Sequence, residues 1–217
     1  MRKLRDAALW SVLFALGMLV VSWAAWDRAG AAGENLAWYI SRAAGLSAYA
    51  ILWLNMALGL VIRQGAHTGA LPRWRLYDLH QFTAPVALGL LTLHVLALLW
   101  DRYVGFTLPQ VLIPMLSIYR PLAVALGIVA LYLLLLITLS SYLERRLGHK
   151  TWRVLHYLSI PAYLLSLYHS VLSGTDSGAF WAVGMYLASF MILVYLANRR
   201  FRFLSDRKCN SKLAGGI

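Results

Sequence analysis

Four of the six histidines fall in two apolar stretches, two in each. His80 and His94 lie fourteen positions apart within 79–100, and His156 and His169 lie thirteen apart within 154–173. Neither stretch contains Lys, Arg, Asp or Glu. Both are long enough to cross a bilayer as helices. An imidazole in hydrocarbon is costly without a partner, so an ionisable residue at that depth marks a functional site. With no carboxylate or thiolate beside them, these four imidazoles are suited to holding metal through nitrogen.

The surrounding sequence is that of a membrane protein. Of 217 residues, 61% are hydrophobic and the mean hydropathy is +0.66, a composition outside the soluble globular range. Six apolar spans are expected, at about 7–26, 38–62, 79–100, 120–142, 154–173 and 179–198. The predicted fold is therefore an all-α integral membrane protein, a six-helix bundle over 1–200 with a disordered tail at 201–217. The net charge of +12 is concentrated in alternate loops, with 16 of the 20 basic residues on the side of both termini. The positive-inside rule places that side in the cytoplasm, so both termini are inside. The charge needs no nucleic-acid partner to account for it. The first span is read as a retained helix rather than a cleaved leader, being longer than the usual apolar region of one. The lone Cys209 excludes an intrachain disulfide and a cysteine-ligated cluster.

Spans three and five are separated by one crossing and run in the same direction. His80 and His156 then lie near the cytoplasmic ends, and His94 and His169 about 20 Å further out. The four residues form two tiers, each with one imidazole from each helix. Two haems stacked along the membrane normal need this arrangement. Each iron would take two imidazoles and keep no open position, which suits electron transfer. A zinc or copper transport site would gather its ligands at one depth, often with carboxylate or thiolate. A structural subunit with hydrogen-bonded histidines is the other competing reading. Fourteen helical residues return within about 40° of the starting face, but thirteen miss by about 140°. Pro161 and Pro85, each five residues after a histidine, are candidates for a kink that repairs the phase. Haem propionates call for cations near the surface. Arg42 and Arg120, with Tyr119, are candidates outside, and Arg75, Lys150 and Arg153 inside. Trp152 is placed either against the inner macrocycle or in the interfacial belt. His67 and His149 are expected to be solvated. The 101–119 loop is the expected docking place for an outer acceptor.

The paired histidines on the third and fifth spans resemble those of the ferric-reductase-like transmembrane domain family. This family includes ferric reductases, NADPH oxidases and the haem-binding membrane subunit of the bacterial periplasmic methionine-sulfoxide reductase system. The likeness runs from about Ser41 to Arg200. Arg75-Leu-Tyr-Asp-Leu-His80, Trp152-x3-His156 and Ser41-Arg42-Ala43 resemble family positions around the two sites. The resemblance implies two b-type haems in a bacterial inner-membrane protein, passing electrons from the cytoplasmic face outward. The sequence has no GxGxxG in a strand–helix context. The donor is therefore expected to be a separate flavoprotein or quinol, or a flavin or quinone at the inner face. The external acceptor is expected to be ferric iron or a reductase protein.

Overall fold

A computed structural model of the chain describes residues 33–64, 72–102 and 104–214. All regular structure among them is helical: α1 (Gly33–Arg63), α2 (Arg73–Trp100), α3 (Leu108–Leu112), α4 (Pro121–Tyr142), α5 (Glu144–Leu147), α6 (His149–His156), α7 (Ser159–Ser173) and α8 (Phe180–Ala214). Four segments are long and apolar enough to cross a membrane: Leu36–Arg63, Arg73–Trp100, Pro121–Tyr142 and Phe180–Arg199. They coincide with the second, third, fourth and sixth expected spans. The chain is a multi-pass helical membrane protein. The first expected span and His67 lie outside the described residues. α8 continues to Ala214, through the tail expected to be disordered. The stretch 201–214 holds neither Gly nor Pro, and the next helix breakers are Gly215 and Gly216.

The fifth expected span is not one helix. It is divided between α6 and α7 by a turn at Tyr157 and Leu158. Pro161 has no N–H to give the carbonyl of Tyr157, so that carbonyl accepts from Ile160, three residues on, at 3.1 Å. The Leu158 N–H likewise reaches back three residues, to the Leu155 carbonyl at 3.0 Å. Winding at three residues per turn adds about 20° per residue over α-helical winding. The extra turn acts in the sense that brings His169 round toward His156. α2 passes through Pro85 unbroken.

α1 packs along α2 and also touches α7 and α8, while α4 packs along α7 and α6. α2 does not pack along α6 or α7 as it does along α1, although these carry the facing histidines. Polar bonds close the interfaces. Tyr49 Oη lies 3.1 Å from Tyr163 Oη and 2.6 Å from Ser189 Oγ, all three residues being buried. The Trp53 indole N–H donates to the Ser189 carbonyl, and the Gln64 amide donates to the Leu196 carbonyl. The Tyr49–Tyr163–Ser189 network ties α1, α7 and α8 together halfway between the two histidine tiers.

Interhelical hydrogen bonds in membrane proteins are worth roughly 0.6 to 1.7 kcal/mol each. Tyr49→Phe removes two of them, and it should destabilise the folded protein by about 1–2 kcal/mol in a denaturation titration. Ser189→Ala should cost about as much, with the double variant less than additive because the residues share one network. Additive losses would place the two side chains in separate networks.

Candidate functional site

The four membrane histidines meet in two pairs. The rings of His80 and His156 have centroids 6.1 Å apart, and those of His94 and His169 have centroids 6.3 Å apart. The ring planes cross at 69° and 81°. Among the described residues, no group of three or more His, Cys, Asp or Glu is placed to share one metal ion.

Three of the rings are held in the same way. His80 Nδ1 is 3.0 Å from the Asn55 carbonyl, His94 Nδ1 is 2.8 Å from the Ser41 carbonyl, and His169 Nδ1 is 2.8 Å from the Ala123 carbonyl. A carbonyl only accepts, so Nδ1 carries the proton and Nε2 keeps its lone pair. Each of these carbonyls belongs to a helix, where it already faces the N–H four residues on. A side chain at that position would cover it. The residue there is Gly59, Gly45 or Gly127, and each ring lies against its glycine. A Cβ on Gly127 would stand 2.6 Å from His169 Nδ1, one on Gly45 2.9 Å from His94 Nδ1, and one on Gly59 3.3 Å from His80 Cε1.

On α1 the support is doubled. Asn55 Nδ2 donates to the His80 carbonyl at 2.7 Å, and Ser41 Oγ donates to the His94 carbonyl at 3.3 Å. Each α1 residue thus accepts from the ring and donates to the backbone of the same histidine. Ser41 and Asn55 are fourteen positions apart, as are His80 and His94. Antiparallel helices bring both pairs into register. These supporting residues escaped the sequence reading. Their signal is the small or polar residue followed four positions later by glycine, repeated at the histidine spacing.

His156 departs from this pattern. Its Nδ1 is buried with no hydrogen-bond partner. Continuing the antiparallel register that pairs Ala123 with His169 puts Ser140 where a fourth glycine would stand. Ser140 is buried and its hydroxyl donates to the Ile137 carbonyl. The His156 ring is held instead by Trp152, 5.0 Å away and tilted by 31°, whose indole N–H donates to Ser141 Oγ. Trp152 also stacks on exposed His149, which donates to Glu144 and accepts from Arg153.

An open cavity surrounds the His94–His169 pair. Its wall includes Leu46, Leu91 and Leu131, with Arg42, Tyr119 and Asp176 among its polar residues. Arg42 is ion-paired with Asp176. Arg120 is not part of this lining. It begins α4 with φ 41°, and its guanidinium donates to the Leu172 carbonyl at 2.5 Å and lies over Tyr119. Arg75 is exposed in the first turns of α2, over the Trp74 ring. Of the four arginines proposed from sequence, Arg42, Arg120, Arg75 and Arg153, only Arg42 lines the cavity around His94 and His169.

The donor set fits haem. An iron–imidazole bond is about 2 Å long, so two imidazoles on opposite faces of one iron have centroids about 6 Å apart. Both pairs have this separation. Three of the four also have the Nδ1–H-to-carbonyl support that metal-ligating histidines commonly show. The cavity around His94 and His169 leaves room for a planar group in the outer tier.

Comparison with curated proteins and with solved structures returned no match. The family described as "Ferric reductase like transmembrane component" matches residues 44–167, more than half of the chain, including His80, His94 and His156. The chain belongs to the ferric reductase-like transmembrane family.

Proposed function

We propose that this protein is a haem b membrane cytochrome that carries electrons from the cytoplasmic side to an acceptor outside. The observation that carries the reading is the pairing of four membrane histidines at two depths, with ring centroids 6.1 and 6.3 Å apart. His80 and His156 would hold the inner haem, and His94 and His169 the outer. Haem would supply a one-electron iron couple suited to electron transfer. The chain's own residues fix the rings. Asn55, Ser41 and Ala123 hold Nδ1–H, which keeps Nε2 free as the donor and raises its basicity. Gly59, Gly45 and Gly127 allow the rings to approach those carbonyls. The cavity wall is largely apolar, and Arg42, ion-paired with Asp176, is the cation that an anionic edge would meet there.

The direction of transfer rests on the basic residues. Arg63, Arg73, Arg75, Arg145, Arg146, Lys150 and Arg153 gather at the His80–His156 end, which the positive-inside rule assigns to the cytoplasm of a bacterial inner membrane. A flavoprotein or quinol delivers electrons there, either as a separate donor or through a flavin or quinone held at that face. Ferric iron or a reductase protein accepts them outside.

Transfer is tested in haem-loaded proteoliposomes that enclose ferricyanide and receive an impermeant reductant from outside. The protein should bleach the enclosed ferricyanide faster than protein-free liposomes do, and His94→Ala should remove the gain. Equal rates with and without protein would refute the conduit.

The glycines give a graded test. Alanine overpacks a tight contact at a cost of about 1–3 kcal/mol. Gly127→Ala should lower haem content and thermal stability most, Gly45→Ala less and Gly59→Ala least, following the order of their Cβ contacts. Equal tolerance at all three positions would contradict the ring–glycine packing.

A further inference from the structure

The connection between α2 and α4, the expected docking place for an outer acceptor, has an apolar surface. Between Arg102 and Arg120 it carries no charged residue. Phe106, Val111 and Tyr119 turn inward onto the cavity around His94 and His169. The opposite side exposes Leu108 (58%), Ile113 (52%), Met115 (61%), Leu116 (48%) and Ile118 (88%).

The depth of this segment is set by Tyr132. Its hydroxyl donates to the Leu112 carbonyl at 2.6 Å. Tyr132 lies eleven residues into α4, about 16 Å below its start, and a helical side chain leans back by roughly one turn. The end of α3 is therefore about 10 Å below the outer end of α4. Tyr132 is itself 45% exposed, on the same face as Leu122, Val129, Leu136 and Leu139, which face lipid in a spanning helix.

A carbonyl and a phenol both left unpaired in an apolar medium are costly, and each satisfies the other here. Two further polar groups are paired within the segment: Gln110 Oε1 accepts from the Thr107 N–H, and Ser117 Oγ donates to the Tyr119 carbonyl. Non-helical backbone is tolerated at membrane depth where it lines a cavity.

We infer that residues 104–119 form a re-entrant segment seated at the headgroup–acyl boundary of the bilayer. Its outward side chains lie among lipid chains, and its inward ones wall the cavity off from the membrane. The occupant of the exposed face is lipid, because that face continues the lipid-facing surface of α4. The inference does not depend on haem being bound.

The test uses single-cysteine variants in proteoliposomes. Cys209→Ser provides the background, to which Met115→Cys, Ile118→Cys or Gly178→Cys is added. Gly178 is an exposed control at the same end, with open space around its Cβ. A charged, impermeant maleimide should label the cysteines at 115 and 118 at least about tenfold more slowly than the one at 178, and equally fast after denaturation, as burial at the acyl boundary requires. Bromine on lipid acyl chains should quench a fluorophore placed at 118 but not at 178. Adding Tyr132→Phe, with elution on size exclusion confirming the fold, should speed labelling at 115. Labelling at 115 and 118 as fast as at 178, without quenching, would overturn the inference. So would protection that appears only with rising protein density and a disulfide between two copies at 118, which would make the occupant a second copy.

Discussion

A helical carbonyl inside a membrane bundle has one partner in its own helix and can accept a second bond only where the chain leaves it uncovered. The structure depends on three such carbonyls, at Ser41, Asn55 and Ala123, each uncovered by a glycine four residues on. Without that gap, the imidazole Nδ1–H would lose its carbonyl acceptor. With it, the tautomer is fixed and Nε2 becomes the nitrogen free to bind a metal. The membrane helices therefore do more than enclose the site. α1 acts as a two-level template for α2, and the equal fourteen-residue spacings on the two antiparallel helices set both levels at once.

The second histidine helix uses another device. One level on α4 repeats the carbonyl-and-glycine support at Ala123 and Gly127. The other lacks it, and His156 rests on Trp152 instead. The break at Tyr157 and Leu158 separates these levels. It lets the shorter thirteen-residue spacing present both rings to α2, and it brings α6 with its basic residues to the His80–His156 end. The Tyr49–Tyr163–Ser189 network joins the two halves between the tiers. Its position explains why α7 can leave a gap toward α2 and still be anchored to α1.

Much of this was legible in the sequence because hydropathy and helical phase are strong signals. Four expected spans appear within a few residues of their places. The phase misfit of His156 and His169, together with Pro161, pointed to the break; Pro85 carried the same signal in sequence, yet α2 runs through it. The carbonyl supports were not legible. Ser41, Asn55, Gly45 and Gly59 gain meaning only when the register of α1 against α2 is known, and glycine is frequent in membrane helices for other reasons. Arg120 was singled out because cations are scarce at its end, but its left-handed start on α4 directs the guanidinium to the Leu172 carbonyl. The 101–119 connection was read only as a docking place for an outer acceptor because it lies between spans. Only the Tyr132 bond reveals its depth.

Haem per chain, with the visible and electron paramagnetic resonance spectra of the oxidised protein, is to be measured for the native sequence and for His94→Ala and His156→Ala. If each histidine pair holds one haem, the native protein carries two low-spin b-type haems and either variant retains one. No haem after expression with adequate haem supply, or a variant that keeps both, would refute the pairing.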